Sequence, residues 1–353
     1  MKSLSPTGEL QHSEPSVPVP DYAELKKRVK RAGLLARQPR YYMWSMILTI
    51  GATLASFLIL FLVHNIWWQL INAVFLAVVF AQVGYLGHDA GHRQPFSTTW
   101  KNELAGLICG NLLLGMSNAW WVDKHNQHHS HPNQLDMDPD LNIPGICFNL
   151  QEARQKQGLG RWVMLHQIWL FFPMLMLVAL DLKRASILFL SSEWKSARYP
   201  LLESLLVLAH WVLFLTLLVY NLGFGAAILF FLVNQAVLGF ILGSAFAPNH
   251  KGMPVLAKES QLGFLQRQVL TSRNIKAGPL TDFWYGGLNY QIEHHLFPSM
   301  PRNNLRAAQQ IVKQFCQEHA IPYAETSVAG SYCAIVKALS EVSSEVRYER
   351  AEA

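Results

Sequence analysis

Residues 66–92 read IWWQLINAVFLAVVFAQVGYLGHDAGH, a stretch with no acidic or basic side chain before His88, closed by two histidines four positions apart. About 20 apolar residues at ~1.5 Å rise each cross a ~30 Å hydrocarbon core. Residues 66–86 are therefore expected to span a membrane and deliver HDAGH (88–92) to its surface. The i, i+4 spacing puts both imidazoles on one helical face, which is a metal-ligand spacing.

Outward from this stretch, no Lys or Arg falls between Tyr41 and His92, nor between Tyr199 and His250. These windows hold four expected spans, near 43–63, 66–86, 201–220 and 226–244. His64 and Asn65 join the first pair, and residues 221–225 join the second. A chain that is 51% hydrophobic and only 15% charged is too apolar for an ordinary soluble domain. The expected fold is an all-α membrane protein, four transmembrane helices in two hairpins under a cytoplasmic helical cap. Lys26, Lys27, Arg28, Lys30, Arg31, Arg37 and Arg40 precede the first span, while the hairpin loops carry no cation. The positive-inside rule places both termini and the 93–198 segment in the cytoplasm. The net charge of +6 follows from this bias toward anionic lipid, and no basic stripe interleaved with aromatics suggests nucleic acid.

Three regions follow: a cytoplasmic, partly disordered segment 1–40, a membrane domain 41–300, and a cytoplasmic helical tail 301–353. No cleavable signal peptide is evident. Two further apolar stretches, Leu104 to Trp121 and Trp162 to Leu182, are read as a shallow re-entrant hairpin and an interfacial helix. A single crossing by either would put the histidines on opposite sides of the bilayer. Cys109, Cys147, Cys316 and Cys333 lack CxxC spacing and are assigned neither disulfide nor metal.

Two more histidine clusters match the first. HNQHH (125–129) brings His125, His128 and His129 to one helical face, and QIEHH (291–295) adds His294 and His295 beside Gln291. His250 stands at the exit of the fourth span. One such histidine alone is more often an ordinary core or surface residue, and His12, His64, His166, His210 and His319 are read that way; His131 is read as peripheral. Three clusters at helical spacing on one membrane face point to metal. Imidazole suits Zn, Cu, Fe or Ni. Eight histidines exceed what one ion with an open position needs but suffice for two, and two irons acting on oxygen lead.

With HxxxH, HxxHH and QxxHH on the page, the chain resembles the membrane fatty-acid desaturase family from about the first span to Pro298. The glutamine-led third box is similar to front-end and sphingolipid desaturases and to bacterial enzymes of the linoleoyl-CoA desaturase type. The resemblance implies an oxidoreductase of fatty acid biosynthesis and lipid metabolism that makes an unsaturated fatty acid, placing a cis double bond in a CoA- or lipid-linked acyl chain. It implies two Fe ions held by His88, His92, His125, His128, His129, His250, His294 and His295, with Gln291 near or at the metal. O₂ is the implied co-substrate. No HPGG-type haem motif occurs, because His131 and Pro132 run into Asn133, so a separate ferredoxin or flavin reductase is expected to supply two electrons.

Around the boxes, Asp89, Glu293, Asn249 and Asn289 are candidates to fix imidazole tautomers. Asp136, Asp138 and Asp140 are read as a solvated turn. Trp120, Trp121, Trp284 and Tyr285 suit either an interfacial belt or a tunnel wall. Lys124, Arg93 and Lys251 are surface cations or contacts for an acyl carrier or electron donor. Rival readings are a membrane di-iron hydroxylase with the same histidine layout and, in a different class, a histidine-lined metal transporter, which would carry its ligands at mid-membrane.

Overall fold

The structure is a computed structural model that describes residues 21–352 except Pro144. The expected disorder of the first 20 residues lies outside the described residues.

A short amphipathic helix, α1 (Tyr22–Arg31), opens the described chain, and the first hairpin follows as α2 (Pro39–Leu62) and α3 (Ile66–Gly91). Asn65 starts α3 by accepting hydrogen bonds from the Trp67 and Trp68 amides, satisfying two of the donors that a helix start leaves open. Within α3's most apolar window 56% is buried, against 17% for α2, so α3 is the inner helix. Its 26 residues rise about 39 Å, beyond a ~30 Å core, and the surplus turns carry the first box out of the membrane.

The Leu104 to Trp121 stretch forms no single long helix. Helix α4 (Thr99–Gly106) runs into a π-helical segment, Leu107–Leu113, and the chain then turns through Gly115 into α5 (Asn118–Ser130). Gly115 has φ of +68°, and a Cβ there would meet the His210 ring at 2.2 Å. Only glycine fits that turn.

Beyond a short α6 (Leu150–Gln155), the stretch read as one interfacial helix is three: α7 (Gly158–Leu165), α8 (Gln167–Leu175) and α9 (Val178–Ser192). The first break falls at His166, whose ring Nδ1–H donates to the Trp162 carbonyl, and the second follows Pro173, which denies α8 a backbone donor.

The second hairpin is α10 (Pro200–Leu222) and α11 (Phe224–His250), joined at Gly223 with φ of +75°. Helix α11 packs against α3 and, at 27 residues, likewise outruns the hydrocarbon and ends on His250. Asn234 ties the pair by donating to the Ala73 carbonyl at 3.1 Å. Among the described residues, α2, α3, α10 and α11 are the four helices long and apolar enough to span a membrane.

On the histidine side sit α12 (Phe264–Leu270), α13 (Pro279–Trp284) and α14 (Gln291–Leu296), followed by α15 (Leu305–Glu318) and α16 (Val328–Glu352). Leu25 and Val29 of α1 join Val312 and Phe315 of α15 and Ile292 and Leu296 of α14 in one buried cluster. Two-residue strands, β1 (Asn274–Ile275) and β2 (Glu325–Thr326), pair in parallel and fasten the tail to the segment before the third box. The cap thereby clamps α14 from behind.

Candidate metal centre

Helix α3 supplies His88 and His92, α5 supplies His125, His128 and His129, α11 supplies His250, and α14 supplies His294 and His295. All eight converge on one end of the bundle. Close approach of α3 and α5 depends on Gly91, where a Cβ would lie 2.6 Å from the Trp121 ring. Trp121 in turn stacks on His125 with centroids 4.4 Å apart.

The ring nitrogens fall into two groups. In one, the ligand atoms of His88, His92, His125 and His294 all lie within 4.8 Å of one another; in the other, so do those of His128, His250 and His295. Within the first, His125 Nε2 lies 2.9 Å from His92 Nε2. Within the second, His250 Nε2 is 3.3 Å from His128 Nε2 and 3.1 Å from His295 Nε2. His129 stands between, its Nε2 3.0 Å from His125 Nε2 and its ring stacked on His295 at 4.2 Å. The side-chain amide nitrogen of Gln291 is 2.9 Å from His250 Nε2, and its oxygen accepts from Asn249. Gln291 thus borders the second group.

What aims these nitrogens is a ring of acceptors behind them. His128 Nδ1 faces the Asp138 carboxylate at 3.0 Å, and His250 Nδ1 faces the Thr271 carbonyl at 3.1 Å. His295 Nδ1 faces Gln268 Oε1 at 2.8 Å, and His88 Nδ1 faces Asp89 Oδ1 at 3.3 Å. An acceptor at Nδ1 keeps the proton there and leaves the Nε2 lone pair pointing inward.

The centre passes a test for metal on its own atoms. His88 Nε2 and His294 Nε2 are buried without any protein partner, a cost of about 1–3 kcal/mol each unless something else accepts their lone pairs. Burial first, and then neighbouring imidazoles, hold His125, His129, His294 and His295 well below the ordinary 6.5, so they are neutral and able to ligate. His128 is the exception: burial opposes its cation, but Asp138 and Asp140 outweigh burial and raise it.

Asp138 corrects the reading of its loop as a solvated turn. It is 2% exposed, and besides His128 it accepts from the Asn133 and Asp140 amides at 2.8 Å each. Asp136 remains exposed and, among the described residues, its ion pair is with Lys258. Lys124 and Lys251 are not free cations either: both bond to Asp140, Lys124 at its carboxylate and Lys251 at its carbonyl, 2.7 Å away. Arg93 is exposed, and His131 lies outside both groups beside Gln134 and Arg267.

Of the other flanking candidates, Asp89 is held by Arg302, Nε to Oδ2 2.8 Å. Glu293 is turned away from the centre to Asn274 and Tyr323, and burial raises it to about 7. Asn289 donates to Asp282. Trp284 donates to Ser244 Oγ rather than facing the histidines.

Sequence reasoning missed Gln268, Thr271, Arg302 and Glu203. Glu203, buried in α10, accepts from Asn111, Ser117 and the Ala119 amide, and so fixes the start of α5, 84 residues away in sequence. A lone acidic residue in an otherwise apolar span was the available signal.

The fatty acid desaturase family model matches residues 65–327, an interval that holds all three boxes and His250. The chain belongs to the fatty acid desaturase family. It is 33% identical over 347 residues to an acyl-lipid (9-3)-desaturase of Physcomitrium patens, covering 95% of this chain and 65% of that protein. It is 32% identical to a Δ5 fatty acid desaturase of Caenorhabditis elegans, covering 86% and 69%. A Δ8-fatty-acid desaturase of Euglena gracilis is 31% identical, covering 86% and 74%. Four apolar helices and this family together mark a membrane protein whose histidine clusters suit metal.

Proposed function

We propose that this chain is an O₂-dependent fatty-acyl desaturase whose eight histidines hold two irons. The observation that carries the reading is the pair of nitrogen groups, His88, His92, His125 and His294 beside His128, His250 and His295, with His129 between them. Relatives named for desaturation at several positions support the reaction class. Two bound irons would supply the oxidant that an unactivated methylene C–H bond requires.

The chain's own residues do the rest. Asp138, Thr271, Gln268 and Asp89 fix tautomers, so the ligands are set before any metal arrives. Gln291 is assigned to the edge of the second group, where its amide can hydrogen-bond or ligate. Trp121 covers the first group and keeps water off it.

The basic residues of α1 and the start of α2, set against cation-free hairpin loops, support a cytoplasmic placement of the boxes and both ends. Residues 41–300 then form the membrane domain, with 301–353 as its cytoplasmic tail. The acyl group is carried by CoA or a lipid, and two electrons per turnover come from a ferredoxin or flavin reductase.

The test is expression of the chain with a compatible reductase in a host lacking the activity, beside His294→Ala. Lipid products are resolved by gas chromatography with mass spectrometry. A new alkene that the variant does not make supports the proposal and locates the double bond. A hydroxylated chain, or metal uptake with no acyl product, would overturn it.

A further inference from the structure

Away from the histidines, a cavity of about 600 Å³ runs between α2, α3 and the segments around Gly286 and Arg302. We propose that this groove binds a zwitterionic glycerophospholipid taken from the leaflet on the histidine side.

One wall is apolar and open to the side. Leu48 is 68% and Phe75 38% exposed, and with Ala52 and Val79 they face the groove. From Tyr41 to Ala52 the helix rises about 17 Å, close to half of a ~30 Å hydrocarbon core. The groove therefore has the depth of one leaflet, and its volume suits a headgroup, glycerol and the upper part of one chain, with the remainder in the bilayer.

The other end is polar, lined by Tyr41, Asp282, Tyr290, Arg302 and Arg306. Arg302 is already committed to Asp89, with a further bond to the Gly286 carbonyl. Two charges are left. Arg306 is exposed and has no carboxylate partner among the described residues. Asp282 is held by Asn289 at 2.8 Å and Tyr290 at 3.0 Å, with no basic partner among the described residues. Both line the same end of the groove as Tyr290, whose hydroxyl donates to Asp282.

One unpaired cation beside one unpaired carboxylate is the complement of a phosphate followed by an ammonium group. A net-anionic headgroup would set its excess charge against Asp282. Coenzyme A, with several phosphates, brings more negative charge than a single free arginine offsets.

No box histidine lines the groove. The Arg302–Asp89 pair stands between the groove and His88, so the lipid sits beside the metal centre and shields the pair that supports it. This site could therefore fail with desaturation intact, or hold with desaturation disproved.

The experiment extracts and quantifies, by mass spectrometry, the lipids that stay with the full chain through detergent size exclusion. Wild type is compared with Arg306→Gln and Ala52→Trp, the first removing the cation and the second filling the apolar end. Wild type should retain phosphatidylethanolamine or phosphatidylcholine, and Arg306→Gln should bind it roughly tenfold more weakly, the loss of one charge-assisted hydrogen bond. Ala52→Trp should lose it while eluting as wild type does. No lipid above detergent background in wild type, equal retention in Arg306→Gln, selective retention of phosphatidylglycerol, or displacement by acyl-CoA would each overturn the assignment.

Discussion

Replacing Arg302 with Met should destabilise the protein severely, and replacing its partner as well should restore most of the loss. The guanidinium and the Asp89 carboxylate meet at 2.8 Å with side-chain exposures of 8% and 2%, so neither charge has water to fall back on. Deleting one member of such a buried pair costs about 3–5 kcal/mol, because the other stays desolvated and unpaired. For a chain of this size that is about 4–7 °C in Tm. Asp89→Asn alone strands the arginine and should fall in the same range. The double variant Asp89→Asn with Arg302→Met removes both charges, and an amide oxygen at position 89 can still accept from His88 Nδ1. It should unfold closer to wild type than either single variant. The assay is thermal unfolding of the metal-free full chain in detergent, read by tryptophan fluorescence. A Tm for Arg302→Met within about 1 °C of wild type, or a double variant whose loss is the sum of the singles, would refute the reasoning.

Asp138→Ala should lower iron affinity about 10- to 100-fold with the fold intact, while Asp138→Asn, whose oxygen can still accept from His128 Nδ1, should lose less; metal titration of the two variants checks the order. Glu203→Leu strands donors on Asn111, Ser117 and Ala119 and should cost about 3 kcal/mol or more. Thermal unfolding reads that loss, and a neutral result would remove Glu203 from the account. The metal-free protein should weaken in acid. Burial holds His92, His125, His129, His294 and His295 well below 6.5 in the fold, so the unfolded chain takes up protons there that the folded chain refuses. That stability is largely present above about pH 6.5 and drains as pH falls below it, with His128 and the buried Glu293, both raised in the fold, acting in the opposite sense. A Tm at pH 5.5 equal to that at pH 7.5 would contradict this.

The spans and boxes were legible because each is a local pattern. A charge-free run of about 20 residues and histidines at i, i+3 and i+4 depend on the helix alone. The helices proved longer than the apolar windows, as α11 shows by continuing six residues past Ser244 to His250. The α11 extension, Ala245 to His250, holds Pro248, Asn249 and His250, which end the apolar pattern without ending the helix. The supports of the site were illegible for the opposite reason. Gln268 reaches His295 across 27 residues, and Arg302 reaches Asp89 across more than 200. Nothing in the local sequence of either residue marks it. Asp138 is the instructive case: a Pro-containing acidic loop reads as solvated, and only the fold of residues 131–141 over α5 buries its carboxylate against His128. The broken α7 to α9 stretch misled similarly, since its mean hydropathy hides the interruptions at His166 and after Pro173.

The central claim is two irons on two histidine groups, and a metal count tests it most directly. The full chain is purified anaerobically after growth in iron-replete medium, and iron, zinc, copper and nickel are measured per chain by inductively coupled plasma mass spectrometry. The account gives about two irons per chain in wild type, with a reduced count in both His294→Ala and His250→Ala, which strip different groups. One metal per chain, zinc in place of iron, or an unchanged count in both variants would contradict it.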